Sequence, residues 1–251
     1  MLDWAGFAVA LTALSAASAF DLKSRLIPDS IWLLSYPPAA ALLALRIIHG
    51  DLQPVHAATS VAVAAGLSAA FYFLGLIGAA DLLAILLIGV SLPRYPQGLP
   101  VIPDPIGIPV FSALCNAAVS SIPIPAMTLA KNVARILSGR DPLSGVNVKG
   151  RLERIILLMT AVKVSVEDLK RGLIYFPAER VIDGKRVPMV FVRAEQDLDS
   201  IISEIEDNKE LFADGVLASP TVPMILCLAA GLALTVLGNI VCCIALSYTA
   251  P

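Results

Sequence analysis

V-H-A-A-T-S-V-A-V-A-A-G-L-S-A-A-F-Y-F-L-G-L-I-G-A-A-D-L-L-A-I-L-L-I-G-V-S-L-P, residues 55–93, runs for 39 residues with no acidic or basic side chain except His56 and Asp81. A straight helix of that length would reach roughly 58 Å, about twice the roughly 30 Å hydrocarbon core of a bilayer. The segment must therefore turn and cross twice. The turn signal is G-L-I-G-A-A at 75–80, which puts Asp81 at the start of the outgoing helix.

The rest of the chain reads in the same way. Of 251 residues, 57% are hydrophobic and 15% charged, against about 25% charged in ordinary soluble domains. Mean hydropathy is +0.82. Further apolar runs at 4–20, 30–48, 107–137 and 221–248 bring the expected spans to six, with a kink expected at Pro37-Pro38 and a bend near Pro123 and Pro125. Residues 138–218 hold 26 of the 38 Lys, Arg, Asp and Glu residues. The predicted fold is a mainly α, polytopic six-helix membrane bundle with a small α+β insertion before the last helix. Its expected parts are a membrane domain at 1–137, a soluble domain at 138–218, and the last span at 219–251. Inside the insertion, 151–172 alternates charged and apolar residues at helical spacing. L-I-Y-F-P-A-E-R-V-I-D-G-K-R-V-P-M-V-F-V reads as a hairpin turning at Asp183-Gly184, and 195–213 as an acidic amphipathic helix.

Orientation follows from Lys and Arg, which concentrate on the cytoplasmic side of membrane proteins. With the amino terminus outside, 16 of the 18 fall inside, and only Arg46 and Arg94 lie outside. Asp21 then ends an inward helix and Asp81 starts an outward one. Both sit at the cytoplasmic side, at similar depth.

A carboxylate in such surroundings is expensive and reads as a functional candidate by default. Each also has a plainer reading. Asp81 alone suits a helix N-cap. Asp21 stands at a helix C-terminus, where the dipole disfavours negative charge, and could pair with Lys23 or Arg25. Together they suit acid–base chemistry, because two close carboxylates do not both ionise readily. The ionised one accepts a proton from water. The protonated one hydrogen-bonds a scissile carbonyl and donates to the leaving amine. The small residues before Asp81, Gly78 and Ala80 among them, are candidates for close approach by a substrate backbone. Charged loops and a glycine-bearing turn flank the two aspartates, so without substrate they are expected to stand apart.

Other polar residues carry less. Asp29 reads as the N-cap of the second helix, His49 and His56 as interfacial, Asn116 as hydrogen-bonding glue between helices, and Asp104 as a solvated loop charge. The charges of 195–210 read as a wet helix face. Cys115, Cys227, Cys242 and Cys243 all fall in apolar runs and read as small buried residues, not as disulfide partners or zinc ligands. No metal or cofactor is expected, and no basic tract points to nucleic acid. The first run lacks a basic n-region and is expected to be retained as a helix rather than cleaved.

D-L-K-S-R-L-I-P-D at 21–29 resembles the first active-site motif of prepilin peptidases, and G-A-A-D at 78–81 resembles their G-x-G-D motif. The architecture and V-L-A-S-P-T-V-P-M-I-L at 216–226 look most like the archaeal preflagellin and prepilin peptidases. The resemblance implies an aspartic membrane endopeptidase with Asp21 and Asp81 as its catalytic pair. Its substrates would be archaellin or type IV pilin-like precursors, with a short basic leader cut at the cytoplasmic face. Ala80 stands where the motif has its second glycine. The paired C-x-x-C motifs of many bacterial members are absent, which argues against their zinc site and methyltransferase activity. Three rival readings remain. A signal-peptide-peptidase or presenilin-like protease would carry Y-D and P-A-L motifs, but Phe20 precedes Asp21 and no P-A-L occurs. A proton- or ion-coupled transporter would use the same carboxylates. The insertion could also serve as a docking module for a secretion machine.

Overall fold

The computed structural model describes residues 1–98, 107–170, 174–189 and 198–243. The chain is mostly helical and divides into two compact units, one formed by Met1–Ser121 with Pro223–Pro251, the other by Ile122–Val222.

The first unit holds α1 (Leu2–Ser24), α2 (Asp29–Ile48), α3 (Pro54–Phe73), α4 (Ala79–Ser91), α5 (Pro109–Ser121) and, after the second unit, α10 (Met224–Leu234). Four helical runs are long and apolar enough to cross a membrane: Leu2–Ser24, Asp29–Ile48, Pro54–Phe73 and Pro109–Leu137. Ala79–Ser91 and Met224–Leu237 are apolar but shorter. At 1.5 Å per residue, α4 rises only about 20 Å.

The 55–93 segment turns where its sequence suggests. Gly75 adopts φ 72°, a conformation that side chains with a Cβ disfavour. α2 runs through Pro37 and Pro38 without a break. The long helix expected over 107–137, bent near Pro123 and Pro125, is interrupted at those prolines and forms α5 and α6 (Pro123–Leu137). Pro123 and Pro125 have no N–H to give to the carbonyls of Val119 and Ser121. The loop at 94–106 is described only to residue 98, so Asp104 lies outside the described residues.

Within this unit the helices approach closely through small residues. A Cβ on Gly231 of α10 would lie 2.3 Å from the Ala113 carbonyl of α5, and one on Gly89 of α4 would lie 2.4 Å from Ala64 Cβ of α3. Lipid is as apolar as these side chains, so close van der Waals packing and hydrogen bonds, more than exclusion from water, hold such helices together. Asn116 is one such bond, fully buried on α5. Its amide donates to Gly238 O at 2.8 Å, and its oxygen accepts from Ile240 N at 3.0 Å. This is the interhelical role expected of it.

Arg46 and Arg94, the two basic residues counted on the outer side, are both held in ion pairs. Arg46 is completely buried on α2, with Nε 3.4 Å from Asp3 Oδ1 and Nη1 donating to Ser91 O at 3.0 Å. Arg94 donates to Asp3 Oδ2 through Nε at 3.1 Å and Nη2 at 3.0 Å. A guanidinium in apolar surroundings needs its charge and donors satisfied. Asp3 supplies the counter-charge and the carbonyls of Ser91 and Leu2 accept from the two terminal nitrogens, while Arg46 Nε makes the ion pair without a hydrogen bond.

The second unit contains α6, α7 (Arg151–Thr160), β1 (Val162–Val164), α8 (Val166–Lys170), β2 (Tyr175–Pro177), β3 (Glu179–Ile182), β4 (Lys185–Pro188), α9 (Leu198–Asp207) and β5 (Val216–Pro220). The order β1-β5-β2 makes an antiparallel three-stranded sheet, and β3-β4 is a separate hairpin. Ile182 pairs with Lys185, and Asp183 and Gly184 both have positive φ, as a two-residue hairpin turn requires. The acidic helix expected over 195–213 is α9 followed by a short 3-10 turn at Lys209–Phe212.

Two apolar clusters anchor this unit, one around Leu169, Ile205, Phe212 and Val216, the other around Leu157, Ala161 and Leu217. Between them lies a polar knot. Arg186 donates to both oxygens of the fully buried Glu179, at 2.9 and 2.7 Å, and to Asp214 at 2.6 Å. Burial works against the Arg186 charge, but Glu179 and Asp214 outweigh it and hold its pKa above the usual value. Burial likewise opposes ionisation of Asp214. Hydrogen bonds from Lys163, Arg186 and Ser144 reverse that and hold its carboxyl at about 2.

Candidate active site

The ion cluster at the start of α1 sets the directions of the helices. Asp3 near the start of α1 meets Arg46 near the end of α2 and Arg94 just after α4, and Arg46 also donates to Leu2 O at 2.5 Å and to Ser91 O. α1 therefore runs antiparallel to both α2 and α4. The far end of α1, carrying Asp21, lies at the end where α4 begins, carrying Asp81. α1 packs against α4, so both aspartates stand at one end of the bundle.

The local chain explains how each carboxylate is held. Asp21 is buried, with 9% exposure, one turn before the end of α1. Its Oδ1 accepts from Arg25 Nη1 at 3.2 Å, so the pairing with Arg25 raised as the plainer reading is present. Arg25 sits at φ 56°, left-handed backbone, and its N–H caps the helix by donating to Asp21 O. Functional sites are common places for a non-glycine residue held in that region.

Asp81 does not occupy the N-cap position. Gly78 is the N-cap, and Asp81 stands three residues later, where its Oδ2 accepts the Gly78 N–H at 3.0 Å. The carboxylate thus satisfies an orphan donor at the positive end of the helix dipole, and its Oδ1 is not needed for that bond. Ala80 lies inside the first turn of α4, with no positive φ. The glycine that the turn requires is Gly75, so alanine at 80 strains nothing. Gly78 has φ −85°, and a Cβ there would come no closer than 3.7 Å to Asp81 Oδ2.

Among the described residues no hydrogen bond joins the two carboxylates. One oxygen of each is engaged with its own helix end, Asp21 Oδ1 with Arg25 and Asp81 Oδ2 with Gly78.

Two neighbours were not legible as site residues. Cys227 is buried on α10, and α10 packs against both α1 and α4, the helices that carry the aspartates. No local signal in the last apolar run marked it. Tyr36 donates from its hydroxyl to Leu83 O at 2.7 Å, fastening α2 to α4 two residues beyond Asp81. A phenol in an apolar run has to find an acceptor, which is the signal that would have singled it out. Asp29, expected as an N-cap, is the first residue of α2. Pro28 holds the cap position without a side-chain bond. His49 hydrogen-bonds Leu45 O and His56 hydrogen-bonds Pro93 O, and neither lies on the elements that carry the aspartates.

Residues 8–125, a little under half of the chain, match the model of the type IV leader peptidase family. The match supports a prepilin- or preflagellin-peptidase-like family for this chain and indicates a protease, a hydrolase acting on precursor proteins in a membrane context. Both aspartates, Gly78 and Ala80 fall within the matched residues. No match was found among curated proteins.

Proposed function

We propose that the chain is an aspartic endopeptidase of the membrane, and that Asp21 and Asp81 are its acid–base pair. Its substrates on this reading are archaellin or type IV pilin-like precursors, whose short basic leader it removes at the cytoplasmic face. The observation that carries the reading is the meeting of two antiparallel helices. They bring the aspartates of both motifs to one end of the bundle.

In this mechanism the ionised carboxylate takes a proton from water as its oxygen attacks the scissile carbonyl carbon. The protonated carboxyl donates its hydrogen bond to the carbonyl oxygen. The tetrahedral intermediate collapses, the C–N bond breaks, and the leaving nitrogen receives a proton from the pair. The two groups titrate as a unit. Arg25 must release Asp21 for that to happen, and the small residues Gly78 and Ala80 leave room for the substrate backbone beside Asp81.

The same proposal includes six crossings, an outer amino terminus and a cytoplasmic domain at 138–218. It is supported by the placement of Asp3, Arg46 and Arg94 at the end of the bundle away from Asp21. The test is coexpression with an archaellin or pilin-like precursor, followed by amino-terminal sequencing of the product. Wild type is expected to shorten the precursor at one bond, and Asp21→Asn and Asp81→Asn to leave it intact. A precursor still shortened by either variant sinks the catalytic assignment. A precursor untouched by wild type sinks the substrate class.

A further inference from the structure

α6 is built inside out. Thr128, Asn132 and Arg135 recur at helical spacing on one face, and this polar face is the one turned toward the rest of the second unit. Asn132 is fully buried and donates to Leu158 O at 2.8 Å and Ala161 O at 2.7 Å, while Arg135 donates to Lys163 O at 2.9 Å. The large apolar side chains left exposed are Met127, Leu129, Val133, Ile136 and Leu137, with Lys131 exposed among them. A helix on a water-facing surface shows the opposite pattern.

α7, which packs against α6, repeats the theme. It buries Leu157 but leaves Leu152, Ile155 and Met159 exposed at 71%, 55% and 40%, spaced as one stripe. Lys149 and Arg151 are exposed beside that stripe. Arg154 is half-exposed and paired with Asp141 at 3.3 Å. α9, a helix of the same length, is the contrast. It buries Ile201 and Ile205, exposes Asp199, Ser203 and Asp207, and leaves no large apolar side chain exposed.

We propose that the α6–α7 face of the second unit docks on an anionic lipid bilayer, with Leu152, Ile155 and Met159 at the headgroup–acyl boundary and Lys149 and Arg151 against lipid phosphates. Two observations choose lipid as the occupant. First, α6 is the end of the apolar run Pro109–Leu137, itself long enough to cross a membrane. The apolar side chains that α6 leaves exposed continue that run, and an exposed apolar surface of this kind marks a membrane or partner contact. Second, an apolar helical stripe flanked by Lys and Arg is the pattern of a helix lying in the membrane interface, drawn there by both burial and anionic headgroups. The inference is independent of the protease assignment.

The experiment uses the full chain in lipid nanodiscs, with a photo-crosslinking amino acid placed in turn at Ile155, Met159, Ser203 and Leu34, the last an exposed residue of α2. Mass spectrometry then reads lipid adducts. With phosphatidylglycerol present, Ile155 and Met159 are expected to give adduct yields comparable to Leu34, with Ser203 at background. In pure phosphatidylcholine, or with Lys149→Glu and Arg151→Glu combined, the Ile155 yield is expected to fall several-fold. Ile155 and Met159 yields as low as Ser203, or adducts to a second protein chain in place of lipid, overturn the proposal. Equal yields in the two lipids overturn its electrostatic part.

Discussion

Gly231→Ala tests the packing that holds α10 in the bundle, against α5 and beside α1. The added Cβ would lie 2.3 Å from Ala113 O and 2.6 Å from Ala117 N, where ordinary contact begins at 3.4 Å. Both obstacles are backbone atoms of α5, so no side-chain rotation relieves them, and the two helices must part by roughly 1 Å. Parting also stretches the buried bonds of Asn116 to Gly238 and Ile240. Overpacking of this kind costs about 1–3 kcal/mol, and rigid obstacles put this site toward the upper end. Gly66→Ala on α3 is the matched control. Nothing lies within 4 Å of a Cβ there, so removing a helix-interior glycine should stabilise by about 0.5–1 kcal/mol. The assay is the apparent melting temperature of the purified protein in detergent, where 1 kcal/mol corresponds to about 2–4 °C for a chain of this size. Opposite shifts are expected, several degrees down for Gly231→Ala and a few degrees up for Gly66→Ala. If Gly231→Ala melts at or above wild type, the close α5–α10 approach is not what holds α10, and the reasoning fails.

Asp21→Asn and Asp81→Asn should each lower precursor cleavage by at least about 10²-fold, the scale of lost general acid–base catalysis, with the melting temperature as a check that folding is intact. Gly78→Ala should fold normally, since its Cβ meets nothing closer than 3.7 Å. Reduced cleavage by a normally melting Gly78→Ala would then report on substrate approach, whereas a lowered melting temperature would contradict the contact geometry. Arg186→Leu strands the fully buried Glu179 and should cost about 3–5 kcal/mol. Hydrogen exchange should rise across β3, β4 and β5 but not in α1–α5, and unchanged exchange would count against the polar knot as an anchor. The Asp214 carboxyl is held at about 2, below its usual value of 3.8. Its stabilising contribution is therefore full above about pH 4 and lost as pH falls toward 2. Asp214→Asn should flatten the acid-induced loosening of the second unit over that window, read by hydrogen exchange. The effect should be small, because the side chain is 42% exposed and solvent screens it.

Much of this architecture is written in local patterns. The 55–93 run had to fold back because its length exceeds a bilayer, and its glycine at 75 marks the turn that forms. Asp183-Gly184 dictates the hairpin because both residues tolerate positive φ. Asn116 had to find partners because an amide in an apolar helix is costly alone. Other local readings assigned the right residue to the wrong position. Asp81 serves the helix terminus from the third position, with Gly78 as cap, because a carboxylate can reach back to an orphan N–H from there. Ala80, one residue from the aspartate, stands where the motif has its second glycine. It is instead an ordinary helical residue, since the demanding backbone conformation lies at Gly75.

What the sequence by itself determined was the one-dimensional layout: apolar runs of set length, the turn between two of them, a charge-rich insertion, and two aspartates at run ends. These depend on solvation and backbone propensity, which act residue by residue. Only the tertiary structure decided which groups meet. Asp3 closes on Arg46 and Arg94 across residues 3 to 94, Tyr36 reaches Leu83, α10 packs on α1 from the far end of the chain, and α6 turns its polar face inward. Those pairings arise from charge and hydrogen-bond satisfaction between distant segments, and no local pattern in the chain encodes a partner.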